Sequence, residues 1–106
     1  MEKYSWIKEY KFFKKLCELT FVDEIWLYGS RARGENQERS DIDFAIVCPR
    51  ATRWEWLTLK DVIDEGDILF KIDCVRFDSL GQESEFRKNI LRDHVVLYQR
   101  KEKYEE

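Results

Sequence analysis

YGSRARGENQERSDIDFAIV, residues Tyr28 to Val47, is the stretch on which the reading of this chain turns. Its left end closes a short apolar and aromatic run, Glu24 to Tyr28 (EIWLY), which stops at Gly29. A run of that kind ending on glycine predicts a β-strand entering a tight turn. Its right end opens Asp41 to Cys48 (DIDFAIVC), a second predicted strand that Pro49 breaks. Between them, Ser30 to Gly34 suits a short helix that starts directly after the glycine, and Asn36 to Ser40 is polar loop.

The chemistry lies in the two aspartates and in the turn before them. Residues two apart on a strand share a face, with a repeat of about 6.5–7 Å. Asp41 and Asp43 are therefore expected on one side, while Ile42, Phe44 and Ile46 supply the alternation. Carboxylates so close repel each other and raise one pKa. A divalent cation removes the conflict, and paired hard oxygens beside a phosphate are the usual means of holding Mg²⁺. Gly29 lets the backbone approach a phosphate closely, and Ser30 adds a hydroxyl and an amide at a helix start. Arg31 and Arg33 follow within one turn, either as counter-charges for a triphosphate or as ion-pair partners of Glu35 and Glu38. A two-metal phosphoryl transfer needs a further carboxylate. Asp73, within FKIDCVRF, is the best candidate, because a lone carboxylate in an apolar strand is costly unless paired or metal-bound. Asp67 and Asp78 fall at that strand's edges and serve less well.

Outward from this stretch, Trp6, Tyr10, Phe13 and Cys17 recur at helical spacing, which predicts one amphipathic helix from about Tyr4 to Leu19. Thr52 suits the cap of a helix reaching about Asp64, with Trp56, Leu59, Val62 and Ile63 on one side and Gly66 beyond its end. Ile68 to Phe77 is expected as a third strand, Gln82 to Arg92 as a helix and Val95 to Gln99 as a last strand. The tail, KEKYEE, is expected to fray. Strands alternating with helices imply an α/β domain in which helices cover a small sheet, with parallel and mixed pairing both open.

Composition narrows the class. The 106 residues suit one domain, 1–106, and a 43% apolar and 15% aromatic content argues against disorder. Net charge is −3 with both signs interleaved, so no basic face marks an extended nucleic-acid partner. Cys17, Cys48 and Cys74 form no C-x-x-C pair and His94 is the lone histidine, which argues against zinc and for reduced, buried thiols in a cytoplasmic protein. No signal peptide opens the sequence, and no apolar run approaches the roughly 20 residues of a membrane span. Trp56 is expected in the helix core, Trp54 is open to stacking a base or anchoring a partner, and His94 is expected to be structural.

Gly29-Ser30, ten intervening residues and then Asp41-x-Asp43 reproduce the GS-x10-D-x-D signature of the DNA polymerase β-like nucleotidyltransferase superfamily. The GSRARG run and short chain most resemble its minimal, MNT or MntA-like, group, which is paired with HEPN-domain proteins; the resemblance covers roughly Phe21 to Leu80. It implies the polymerase β-like fold, α/β (α+β), a small mixed sheet of about four strands flanked by helices. By that resemblance Asp41 and Asp43 bind two Mg²⁺ ions, and Asp73 touches one of them and helps to activate the attacking hydroxyl. Gly29, Ser30 and neighbouring amides, with Arg31 and Arg33, then match the side that holds the nucleotide triphosphate. The implied activity is transfer of AMP from ATP to a tyrosine of a HEPN toxin, the chain being the antitoxin; a homodimer through the aromatic first helix and a mixed complex each fit the sequence. Alternatives are nucleotidyl transfer to a small molecule or RNA, and a module that neutralises its partner by contact without catalysis.

Overall fold

The computed structural model describes residues 3–101, so all but the first residue of the KEKYEE tail lies outside the described residues. Four strands, β1 (Glu24–Tyr28), β2 (Ile42–Val47), β3 (Ile72–Arg76) and β4 (Val95–Gln99), form one sheet in the order β3-β2-β1-β4. β1 pairs antiparallel with β2 and with β4, whereas β2 and β3 run parallel, so the sheet is mixed. The helices are α1 (Ser5–Lys8), α2 (Lys11–Glu18), α3 (Ser30–Arg33), α4 (Arg53–Asp64) and α5 (Glu85–Asp93), with a 3₁₀ turn at Phe77–Ser79.

Alternation along the strands builds two cores. Ile25 and Leu27 of β1 and Ile42, Phe44 and Ile46 of β2 pack with Phe12, Phe13 and Leu16 of α2 and Leu59 and Ile63 of α4. The opposite face carries a smaller cluster, Trp26, Ala45, Phe77 and Ile90, the last from α5. Odd-numbered residues of β2 belong to this second face, and Asp43 is one of them.

Local chemistry accounts for the two longest helices. In α4 the Thr52 side chain accepts from the Glu55 amide while the Glu55 carboxylate accepts from the Thr52 amide, a complete capping box. In α5 the Ser84 side chain accepts from the Arg87 amide and Glu85 sits in the first turn, where a negative charge suits the helix dipole.

Two expected elements differ most, while α5 begins at Glu85 rather than Gln82 and β2 at Ile42 rather than Asp41. The single helix over Tyr4–Leu19 is instead α1 and α2, divided where Tyr10 takes an extended conformation (φ −70°, ψ 144°). At about 100° per residue, Ile7 and Leu16 would lie on opposite sides of one straight helix. The break buries both completely, and it sets Trp6 aside, partly exposed, for another use. The third strand begins at Ile72 rather than Ile68, because its partner β2 begins only at Ile42, which faces Ile72 in the register. Without a partner, residues 67–71 form a loop that carries a fully exposed Leu69.

Candidate active site

Gly29 ends β1 with φ 79° and ψ −156°, backbone angles that only glycine adopts readily. Position 29 is also crowded: a Cβ there would stand 3.3 Å from Asp43 Cγ and overlap Asp43 Oδ2. The turn and the carboxylate are thus in direct apposition, as the register requires, since Tyr28 pairs with Asp43. Ser30 then opens α3, whose last residue precedes Gly34, a left-handed cap at φ 75°.

Across β2 the parallel register sets Asp73 beside Asp43. Asp41 lies one residue before β2 and is exposed, rather than within the strand as expected. The Asp43 carboxyl is pushed above the usual aspartate range, first by burial and then by Asp73 and Asp41, while Arg31 and Arg33 pull it down. The structure therefore couples all three aspartates. Among the described residues, no three acidic, histidine or cysteine side chains are already gathered at metal-binding geometry. The donor set still fits Mg²⁺: hard carboxylate oxygens whose mutual repulsion a divalent cation would relieve. Asp73 Oδ1 lies 3.8 Å from the Lys71 ammonium, on a largely exposed side chain, a weak pair.

The two arginines part company. Arg31 is 7% exposed, and its guanidinium is spent on backbone. Nε donates to the carbonyls of Ser40 (3.2 Å) and Asp41 (3.3 Å), and Nη2 to those of Glu38 (3.3 Å) and Ser40 (2.8 Å). The same guanidinium lies 4.8 Å from the Phe70 ring centre and 5.5 Å from that of Trp6. Arg31 ties down the loop that delivers Asp41, while its charge still acts on Asp43. Arg33 donates to Glu35 at 2.9 Å and lies 3.5 Å from Asp93, an ion-paired and largely exposed position.

Tyr28 joins the site although its residue type gave no reason to include it. It is half-buried, its ring meets Phe86 edge-on at 5.6 Å, and burial followed by the charges of Asp43 and Asp73 pushes its hydroxyl to about 12. The signal was available in the register, because the last residue of β1 must face the Asp of β2. Asp78 is spent elsewhere, accepting from the Cys48 amide at 2.6 Å. His94 stacks on Trp26 at 4.0 Å with Nδ1 3.1 Å from the Leu91 carbonyl, a structural role. The three cysteines are free, and burial pushes the Cys48 thiol up to about 11 and Cys74 to about 12. No helix among the described residues is long and apolar enough to cross a membrane.

A glycine turn set against a carboxylate strand, with a third aspartate on the neighbouring parallel strand, is the arrangement of a nucleotidyltransferase. The profile of the family described as Polymerase beta, Nucleotidyltransferase matches residues 11–103, and the chain belongs to that family. It is similar to the probable protein adenylyltransferase MntA of Haemophilus influenzae, with 31% identity over 82 residues that span 74% of this chain and 68% of the relative.

Among solved structures, a toxin–antitoxin with AMP-PNP aligns with TM-score 0.57 at 22% identity, over 84% of this chain and 72% of that one. A toxin–antitoxin MntA–HpeT mutant aligns at 0.55 and 17% identity, over 94% and 75%. A putative nucleotidyltransferase from Sulfolobus solfataricus aligns at 0.56 and 20% identity, over 85% and 76%. At these identities the three structures bear out the mixed-sheet fold.

Proposed function

We propose that this nucleotidyltransferase transfers AMP from ATP to a hydroxyl of a protein acceptor, a tyrosine of a HEPN-domain toxin, and so serves as the antitoxin of the pair. The observation that carries the reading is the apposition of the Gly29 turn to Asp43, with Asp73 in register beside it. The named similarity to a protein adenylyltransferase, and the toxin–antitoxin assemblies among the structural relatives, support the choice of acceptor and partner.

Asp41, Asp43 and Asp73 are the residues that would hold two Mg²⁺ ions. Bound there, the ions would neutralise the phosphates and the charge that develops during transfer. Gly29 and Ser30 hold the triphosphate against β2, and Arg33 adds positive charge at the rim. The acceptor oxygen forms its bond to the α-phosphorus as the bond to the bridging oxygen of the β-phosphate breaks, and pyrophosphate leaves. Asp73, half-exposed and beside Asp43, takes up the acceptor proton directly or through water. Catalysis rests on alignment and charge stabilisation rather than on a covalent enzyme intermediate.

The test is incubation with α-labelled ATP, Mg²⁺ and the partner toxin. Label appears on the toxin with the native chain and is lost with Asp41→Ala plus Asp43→Ala. Transfer that survives the double substitution refutes the site. Label that appears only on RNA or a small molecule refutes the protein acceptor. Toxin neutralisation that persists without transfer would make the chain a binding module.

A further inference from the structure

Beside Asp41 a groove of about 440 Å³ is lined by Glu38, Arg39, Asp41, Leu69, Phe70 and Lys71. Its floor is rigid, because Phe70 is stacked on the Arg31 guanidinium, and the Asp41 and Ser40 carbonyls on the facing loop accept from that same group. Its rim is the side chain of Leu69, 99% exposed. A lone exposed leucine means little in itself. This one stands on the wall of a groove whose opposite wall includes a candidate metal-binding carboxylate.

The strand order gives the site a direction. Gly29 and Ser30 lie on the β1 side of Asp43, and Asp73 lies on the β3 side. In phosphoryl transfer the attacking and leaving oxygens are roughly in line through phosphorus. With the leaving pyrophosphate held at the Gly29 turn, the acceptor must arrive from the β3 side. The groove is on that side, since its Lys71 reaches to 3.8 Å from Asp73.

We infer that this groove receives the acceptor segment, an extended stretch of polypeptide that lays an apolar residue on Leu69 and Phe70 while its hydroxyl reaches Asp73. Arg39 and Lys71 in the lining are balanced by Glu38 and Asp41, so the groove selects its segment by the apolar contact and by the reach of the hydroxyl rather than by net charge. The inference rests on the proposed transfer reaction and adds to it where the acceptor binds.

Leu69→Ser and Leu69→Glu test it, since a wholly exposed side chain can be replaced without disturbing the core. Steady-state AMP transfer is measured with the partner toxin as acceptor, and separately with N-acetyltyrosine amide, which is too small to use the groove. Both variants are expected to raise the KM for the toxin at least tenfold, with the KM for ATP and transfer to the small acceptor unchanged. An unchanged toxin KM in the Leu69 variants overturns the inference while leaving the transfer reaction intact. A raised KM for ATP instead assigns the groove to the nucleotide base, which also overturns it. A native chain that transfers AMP to neither acceptor refutes the reaction itself, a result distinct from both.

Discussion

Two glycines with nearly the same backbone twist separate the cost of conformation from the cost of crowding. Gly29 and Gly34 have φ of 79° and 75°. At Gly34 the angles are those of an ordinary left-handed cap, and among the described residues an added Cβ would meet only the Lys3 ammonium at 3.9 Å. Gly34→Ala is therefore expected to cost about 1–2 kcal/mol. At Gly29 the ψ of −156° places the residue in a region essentially reserved for glycine, about 1–3 kcal/mol of strain for alanine. The Cβ would also overlap the Asp43 carboxylate, and driving that side chain off its rotamer adds about 0.5–1.5 kcal/mol. The sum, about 1.5–4.5 kcal/mol, corresponds to a fall in Tm of roughly 7–20 °C for a domain of this size. Activity should suffer more than stability, because the displaced carboxylate is the central one, and misplacement by about 1 Å costs on the order of a hundredfold in rate. Thermal denaturation and AMP transfer, measured on both variants below their melting ranges, check this. Equal destabilisation by the two alanines, with transfer intact in Gly29→Ala, would refute the apposition of turn and carboxylate.

Other expectations follow from the same geometry. The folded protein holds the Asp43 proton to higher pH than the unfolded chain, so its contribution to stability is present below the usual aspartate range and lost as pH rises through the raised value. Asp43→Asn should therefore melt higher than the parent at pH 7 without Mg²⁺, and the advantage should vanish below about pH 4. Added Mg²⁺ should raise the parent's midpoint and not the variant's, since a ligand of the native state stabilises only the chain that binds it. Arg31→Met should lower stability by about 1–3 kcal/mol in urea denaturation, as the Glu38, Ser40 and Asp41 carbonyls lose their part-buried donor, and limited proteolysis should then cut the 35–41 loop faster. Arg31→Lys should recover little of that, because an ammonium cannot make the same fork. Leu59→Ala, in the larger core, should cost about 2–5 kcal/mol. Trp54→Ala, at a residue 77% exposed, should stay within about 0.5 kcal/mol of the parent by the same measurement.

The parts of the fold that were legible in the sequence are those that depend on local chemistry. β1, α3, β4 and the Thr52 cap of α4 stand where alternation, glycine and threonine placed them. The helix over Tyr4–Leu19 divides because burying Ile7 and Leu16 together is a tertiary demand that periodicity does not carry. The early start expected of β3 was unreadable for a similar reason, as strand length there is set by where β2 begins. In the site, the pairing of Asp43 with Asp73 rests on a parallel register between strands some thirty residues apart, and the residue pattern only suggested it. Arg31 carries contacts that its sequence neighbours did not announce. Its place after a glycine turn suggested a phosphate contact, yet Phe70 and the carbonyls of Glu38, Ser40 and Asp41 claim its guanidinium. Which acceptors surround a side chain is a property of the assembled loops, not of the residue's neighbours in sequence.

The strand order has a consequence for how the chain acquires activity. β1 carries the glycine turn, and one of its two partners, β4, supplies Gln99 opposite Glu24, 75 residues later. During synthesis the β1–β2 hairpin can close early, but its outer edge stays bare until residues 95–99 have left the ribosome. A two-stranded hairpin is marginal alone, and contacts so distant in sequence slow folding. Asp41 and Asp43 would thus be held in working order only after translation has passed them by more than fifty residues, and Asp73 by more than twenty.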